Sequence, residues 1–289
     1  MQFPPALRPR DRVRIVAPSG PFDRTLALVG AGFLGRRYRV ELDFAMFQKH
    51  GFLAGPDARR RAELEAALGD PGVRAVVAAR GGYGLTRILH ATRSASLARD
   101  PKWVVGFSDV TALHVECARL GIASIHAHNC AGLGRGDARA RAEFLDVLER
   151  PKRRRHFGEL ETWRSGHADG VLAGGNLTLA AAGRLSFRPM APSCSRGRRS
   201  GLSPRPDVDG VARRWRARPR GRSSWASSRI APADPTVSRA ERAVRERLDE
   251  LQIPVLAGLD AGHGQPNLPL VFGAPARIGD GALTLFPEA

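Results

Sequence analysis

Long apolar runs are missing from this chain, and no stretch approaches the roughly 20 residues that a helix needs to cross a bilayer. The opening Met1-Gln-Phe-Pro-Pro has no charged segment leading into an apolar one, so no secretory signal is expected and the cytoplasm is the expected compartment. Cysteine is scarce. Cys117, Cys130 and Cys194 are odd in number and match no metal-ligand spacing, which argues against a disulfide framework. No motif calls for a metal or a cofactor. Glutamate is absent between Glu161 and Glu241.

Arginine is what the chain has in excess. The net charge of +18 and the pI near 11.4, taken alone, suggest nucleic acid. The charge is unevenly spread, however. Between Ser186 and Ile230 stand twelve Arg, two Asp and neither Lys nor Glu, which is ten of the eighteen net charges and leaves a modest +8 elsewhere. A basic nucleic-acid-binding protein would carry its binding on Arg196 to Arg222, with a steep salt dependence. Only Trp215 and Trp225 are there to stack on bases, and no recognition motif accompanies them. Neither nucleic acid nor a membrane is the expected partner.

The stretch around which the chain is organised is Lys102-Trp-Val-Val-Gly-Phe-Ser-Asp-Val-Thr-Ala-Leu-His114. Trp103 to Phe107 form an apolar run of strand length. Asp109 suits a first helical turn, where its charge opposes the dipole. Val110, Leu113, Cys117 and Leu120 follow at helical spacing, with Gly121 as the stop. Ser108 sits at the corner, where two readings stand. It is either a nucleophile elbow lacking the second glycine of the usual pattern, or the cap of the helix. A second strand, from Arg74, runs into Arg80-Gly-Gly-Tyr-Gly84. Its glycines permit close backbone approach and positive φ. If the strands are neighbours, the N–H groups of Gly81 and Gly82 face Ser108 at the carboxyl edge where open α/β sheets bind ligands. The alternatives are a phosphate loop and an ordinary tight turn.

Elsewhere, strands are expected over 12–17, 74–79, 102–107 and 122–126. Helices are expected over 57–68, capped by Asp57 and stopped by Gly69, then over 86–97 and 138–149. Such alternation implies a parallel sheet with right-handed crossovers. Lys152 to Arg155 read as a solvated linker, and His114 as a packing residue. Ser238-Arg-Ala-Glu241 is a capping box for a helix with Val244, Leu248 and Leu251 on its stripe. A strand over 254–259 and a polar loop over 262–269 follow. The expected division is a first domain over 1–135, a connecting helix and linker over 136–168, and a second domain over 169–289.

Arg80-Gly-Gly-Tyr-Gly84, Gly106-Phe-Ser-Asp-Val-Thr-Ala-Leu-His114, Gly174-Gly-Asn-Leu177 and Gly262-His263 occur in that order, after Val16-Ala-Pro-Ser-Gly20 and Phe52-Leu-Ala-Gly-Pro-Asp57. Together they resemble the LD-carboxypeptidase family of serine peptidases. The resemblance implies an α/β fold: a Rossmann- or flavodoxin-like N-terminal parallel-sheet domain and a smaller C-terminal α/β domain. It implies hydrolysis of the amide before a terminal D-amino acid, typically D-Ala of a cytoplasmic muropeptide, although some relatives cleave peptide–nucleotide antibiotics. By the same resemblance Ser108 is the nucleophile and His263 the general base, and the partner is a small peptide. The N–H groups of Gly82 and Asp109 are candidates for the oxyanion hole. Gly81, Tyr83 and Asn176 are candidates on the substrate side, Asn176 being equally readable as a turn residue. His126 and His128 follow a strand and could line the cleft. Family members often pair as homodimers. A relative that binds peptides without cleaving them is the alternative.

The family supplies the third triad member, a glutamate, from the region after Gly-Gly-Asn, and here no Glu is found. Asp207 and Asp209 sit in no matching motif. From Ser186 to Ser228 neither a period of two nor one of 3.6 survives, which reads as irregular or disordered chain in a disrupted second domain. G/C-rich codons for Ala-Val-Val-Leu-Gly-Glu-Leu, read one base late, give the residues of Arg222-Ser-Ser-Trp-Ala-Ser-Ser228. Codons for Gly-Ala-Glu-Leu-Leu, read with the same offset, give those of Ala191-Pro-Ser-Cys-Ser195. The tract is therefore expected to be an out-of-frame translation. Sequencing the coding DNA should reveal a compensating pair of indels near codons 186 and 230 whose correction restores a family-like sequence. An intact frame with no such pair removes this explanation.

Overall fold

The structure, a computed structural model, describes residues 1–136, 138–176, 179, 225–228, 245–246, 248, 250, 252–264 and 266–288. The capping box at Ser238 and most of the 186–230 tract, including Cys194, Asp207 and Asp209, lie outside them.

The first half alternates as the apolar periods require: β1 (Arg12–Val16), α1 (Arg24–Gly35), β2 (Arg39–Glu41), α2 (Asp57–Gly69), β3 (Val73–Ala78), α3 (Leu85–Leu89), α4 (Ser96–Arg99), β4 (Trp103–Gly106), α5 (Thr111–Arg119), β5 (Ser124–His126), α6 (Cys130–Arg135) and α7 (Ala138–Glu149). Then come β6 (Arg155–Phe157), β7 (Glu161–Arg164), β8 (Ala168–Val171), β9 (Trp225–Ser228), β10 (Val255–Leu259), β11 (Leu270–Phe272), β12 (Pro275–Gly279) and β13 (Ala282–Leu285).

The main sheet has the order β2-β1-β3-β4-β5-β11. Its first five strands are parallel, in the flavodoxin-like order 2-1-3-4-5, and the chain reverses direction of travel across the sheet between β1 and β3. Every residue of β4 is buried, because helices cover both faces. One face packs Val13, Ile15, Val77 and Val105 against Leu34 of α1, Leu133 of α6 and Phe144 of α7. The other packs Val76 and Val104 against Leu64 and Leu68 of α2, Leu85 and Ile88 of α3, and Leu113 of α5. The parallel α/β class is thus as read from the sequence. The sixth strand, β11, comes from the last twenty residues of the chain and closes the β5 edge in antiparallel pairing, Leu270 opposite His126. Beside this sheet stand an antiparallel one, β6-β13-β12-β8, and a three-stranded one, β7-β10-β9.

Several local expectations change. Asp57 is the first residue of α2 rather than its cap, and its carboxylate pairs with Arg60 and Arg87. The helix expected over 86–97 is two short ones, broken where Thr92 turns its hydroxyl back onto the Ile88 carbonyl. Lys152 to Arg155 are not simply solvated. Arg155 is buried, donating to Asp146 at 2.7 Å and to the Arg150 and Arg153 carbonyls, while Lys152 lies 5.2 Å from the Phe3 ring centroid. Trp225–Ser228, inside the interval expected to be irregular, form a strand parallel to β10. A ladder bonds backbone to backbone and needs no side-chain period. The cleft expectation for His126 and His128 fails, since both are buried. Among the described residues no helix is long and apolar enough to cross a membrane.

Two histidines back the carboxyl end of β4. His114 is fully enclosed, with Nδ1 2.9 Å from Ser124 Oγ and Nε2 2.9 Å from the Gly106 carbonyl. His126 lies against Phe107, His114 and Phe272. Burial disfavours the imidazolium and pushes the two pKa values down, to about 4 for His114 and about 3 for His126.

Two predictions follow from this packing. Helices α1 and α6 meet through glycines: a methyl on Gly30 would lie 2.0 Å from the Cys130 carbonyl oxygen, whereas one on Gly32 of the same helix meets nothing within 4 Å. Gly30→Ala should therefore destabilise by about 1–3 kcal/mol, and Gly32→Ala should stabilise by about 0.5–1 kcal/mol, read from urea unfolding midpoints. The unfolded chain takes up protons at its histidines below about pH 6.5, where the folded His114 and His126 stay neutral. Stability is therefore full above that pH and falls on acidification, by about 1.4 kcal/mol per pH unit for each imidazole. Burial raises the Asp109 and Glu63 carboxyls, an effect of opposite sign. The comparison is therefore between wild type and His126→Gln from pH 6.5 to 5, where the variant should lose one proton's worth of slope.

Candidate active site

Strand β4 delivers Ser108 to a tight corner. Gly106 ends the strand at φ +155°, and a methyl there would lie 2.7 Å from Asn129 Oδ1 and 2.9 Å from Val110. Asn129 is buried and accepts the Phe107 N–H at 3.2 Å. Ser108 itself has φ +64°, a left-handed conformation that a residue with a Cβ adopts at a cost. A single 3-10 turn over Ser108–Val110 then leads into α5, with Thr111 Oγ1 donating to the Ser108 carbonyl at 2.7 Å. The Ser108 side chain does not cap this turn. Its Oγ stands 3.2 Å from His263 Nε2.

His263 lies 155 residues further along, on the loop between β10 and β11. The loop is braced by the Gly262 N–H donating to Asn267 Oδ1 at 2.7 Å and the Leu268 N–H donating to the Asp260 carbonyl at 2.7 Å. Asn267 is buried. Phe107 sits edge-on to the His263 ring at 5.1 Å and touches His126 on its other side at 5.9 Å. Among the described residues no carboxylate is hydrogen-bonded to the His263 ring.

The glycine turn after β3 presses on the same corner. A methyl on Gly81 would lie 2.8 Å from Ser108 Cβ and 3.2 Å from the Asp109 nitrogen. Gly82, at φ +101°, packs on Gly20, whose N–H donates to the Gly81 carbonyl at 3.1 Å. Asp109 sends its carboxylate away from Ser108. Oδ2 accepts the Leu85 N–H at 2.9 Å, with the Ser19 hydroxyl beside it. Burial raises this carboxyl above the usual range. Tyr83 is half exposed at the rim, tilted against the exposed Phe52 at 5.5 Å. Asn176 is drawn in by its backbone, whose N–H donates to Thr111 Oγ1 at 2.9 Å. Its own Oδ1 accepts the Leu179 N–H at 3.3 Å, the turn role.

Sequence reasoning missed the charged clamp beneath. Arg60 of α2 has no exposed surface and donates to the carbonyls of Pro18 and Gly84, tying the β1 and β3 loops together. Glu63, one turn on, accepts the Ala17 N–H at 2.7 Å and pairs with Arg59. In the sequence Arg59 and Arg60 belong to an Arg-Arg-Arg run and Glu63 follows it, none of them on the apolar stripe of the helix. Their only signal is the spacing of three between Arg60 and Glu63, which puts both on one helix face.

Known proteins resemble this chain along most of its length. The family described as LD-carboxypeptidase N-terminal domain matches residues 13–127, and that described as LD-carboxypeptidase C-terminal domain matches residues 222–278. A Streptomyces coelicolor protein provisionally named a carboxypeptidase is 35% identical over 304 residues, covering 98% of this chain and 95% of its own. The murein tetrapeptide carboxypeptidase of Pseudomonas aeruginosa is 26% identical, with 80% of each chain covered. Among solved structures, the microcin C7 self-immunity protein MccF in complex with aspartyl sulfamoyl adenosine superposes with a TM-score of 0.78 at 18% identity, over 100% of this chain and 99% of that one. With family matches at both ends and a relative aligned along nearly its whole length, this chain belongs to the LD-carboxypeptidase family.

Proposed function

We propose that this chain is a serine-type LD-carboxypeptidase that hydrolyses the amide before the terminal D-amino acid of a muropeptide. The observation that carries the proposal is the 3.2 Å approach of Ser108 Oγ and His263 Nε2, two residues 155 positions apart in the chain, at a corner held in a left-handed conformation. The name of the Pseudomonas aeruginosa relative supports the substrate class. The cytoplasmic location and the homodimer implied by the resemblance belong to the same reading.

A serine hydroxyl is a weak nucleophile until a base accepts its proton. Ser108 Oγ attacks the scissile carbonyl as His263 Nε2 takes that proton. The N–H groups of Asp109 and Gly82 are the proposed donors to the oxygen that becomes negative; the Asp109 nitrogen lies beside the Gly81 turn that presses on Ser108. The tetrahedral species collapses when the imidazolium gives the proton to the departing amine. The free D-amino acid leaves and an acyl-serine remains. A water, deprotonated by the same imidazole, then releases the shortened peptide and regenerates Ser108. Gly81 belongs to the cradle because any side chain there meets the nucleophile. Tyr83 faces the entrance, and Asn176 acts by holding its loop on Thr111.

The triad acid is the weak point. Nothing among the described residues fixes the His263 tautomer, and the sequence offers no glutamate where the family has one. Losing that group alone costs on the order of 10⁴-fold in rate. The purified chain should therefore release D-Ala from an L,D-tetrapeptide slowly, with no cleavage of the all-L peptide. Ser108→Ala should abolish release while peptide binding persists. Release that survives Ser108→Ala would sink the proposed chemistry, and an ordinary enzymatic turnover would overturn the impairment. Binding with no cleavage at all identifies the non-catalytic relative.

A further inference from the structure

We infer that Arg80 binds the terminal carboxylate of the peptide, so that a free C-terminus is a recognition element set by this side chain. The inference deepens the reading above and rests on it for the location of the reacting centre. A carboxypeptidase substrate carries its carboxylate within about 4 Å of the scissile carbonyl carbon, the span of one residue. A donor about one residue's width from Ser108 would meet that carboxylate, and a guanidinium offers a forked donor pair that fits it.

The arginines near the glycine turn differ in what already occupies them. Arg59 donates to the Ala17 and Ala54 carbonyls and pairs with Glu63. Arg60 is buried against Asp57 and two carbonyls. Arg87 pairs with Asp57. Arg80 is exposed and, alone of these four, has no carboxylate partner among the described residues. Among the described residues its one hydrogen bond runs from Nη1 to the Pro21 carbonyl.

Its position is the second argument. Arg80 follows β3, at the carboxyl edge where the strand order reverses between β1 and β3, the place where open α/β sheets bind ligands. The floor between it and Ser108 is bare backbone. A methyl on Gly81 would touch Ser108 Cβ at 2.8 Å. One on Gly82 would lie 3.9 Å from Arg80 Cζ, and one on Gly20 3.5 Å from Arg80 Nη1. Adjacent glycines thus connect the hydroxyl to the guanidinium. A terminal residue laid along them brings its carbonyl carbon to the first and its carboxylate to the second.

The test measures binding rather than turnover. In the full-length Ser108→Ala protein, calorimetry compares an L,D-tetrapeptide ending in a free carboxylate with the same peptide ending in an amide. The acid should bind roughly 10- to 100-fold more tightly. Adding Arg80→Gln should bring the acid down to the affinity of the amide and leave the amide unchanged, while Arg80→Lys should keep part of the preference. No preference in the Ser108→Ala protein overturns the inference, as does a preference that survives Arg80→Gln. A preference that depends on Arg80 in a protein that never cleaves the peptide upholds the carboxylate site and removes the serine chemistry, so the two failures are distinguishable.

Discussion

The corner at the end of β4 is the constraint on which the rest depends. Holding a residue with a Cβ in the left-handed region costs about 1–2 kcal/mol. Ser108 stays at φ +64° because its surroundings leave no relaxed alternative. Asn129 fixes the Phe107 N–H before it, Thr111 holds its carbonyl after it, and Gly81 closes on its Cβ from the neighbouring loop. The strain aims the hydroxyl out of the sheet edge instead of into the first turn of α5. That direction separates a residue facing an imidazole from one that merely caps a helix.

The β3 turn can close on this corner only because α2 clamps its other side. Arg60 and Glu63 are titratable groups inside the protein, and their removal from water is unfavourable unless hydrogen bonds and ion pairs offset it. They bond backbone groups of two loops, so burial there registers the β1 loop against the β3 loop. Asp109 completes the arrangement from the other direction by accepting the Leu85 N–H, which joins the serine corner to the start of α3. Three loops from three strands are thereby held as one rim.

His263 reaches that rim through the sheet itself. Its loop leaves β10 at Leu259 and enters β11 at Leu270, which pairs with His126 on the edge of β5. The antiparallel ladder sets where the loop begins and ends, and Asn267 sets its shape between. Phe107 then fills the space between the imidazole of the loop and the buried imidazole of β5. The distance between hydroxyl and base is therefore a property of sheet closure, although the residues are far apart in the chain.

The strands and most of the α/β alternation could be read directly, because a buried parallel strand needs an unbroken apolar run and Trp103 to Gly106 supply one. Ser108 and His263 stood out by the motifs around them, whereas the Ser108 conformation did not, since φ is imposed by neighbours distant in sequence. The break between α3 and α4, the burial of Arg155 and the clamp of Arg60 with Glu63 escaped for a common reason. Each depends on a partner that no local period encodes: a carbonyl one turn back, Asp146 on α7, or the carbonyls of two loops. The motifs along the chain named Ser108 and His263 as candidates. Only the ladder that seats β11 beside β5, with the crossing of β1 and β3, decided that they meet, because strand pairing joins segments by backbone hydrogen bonds that carry no mark in the sequence.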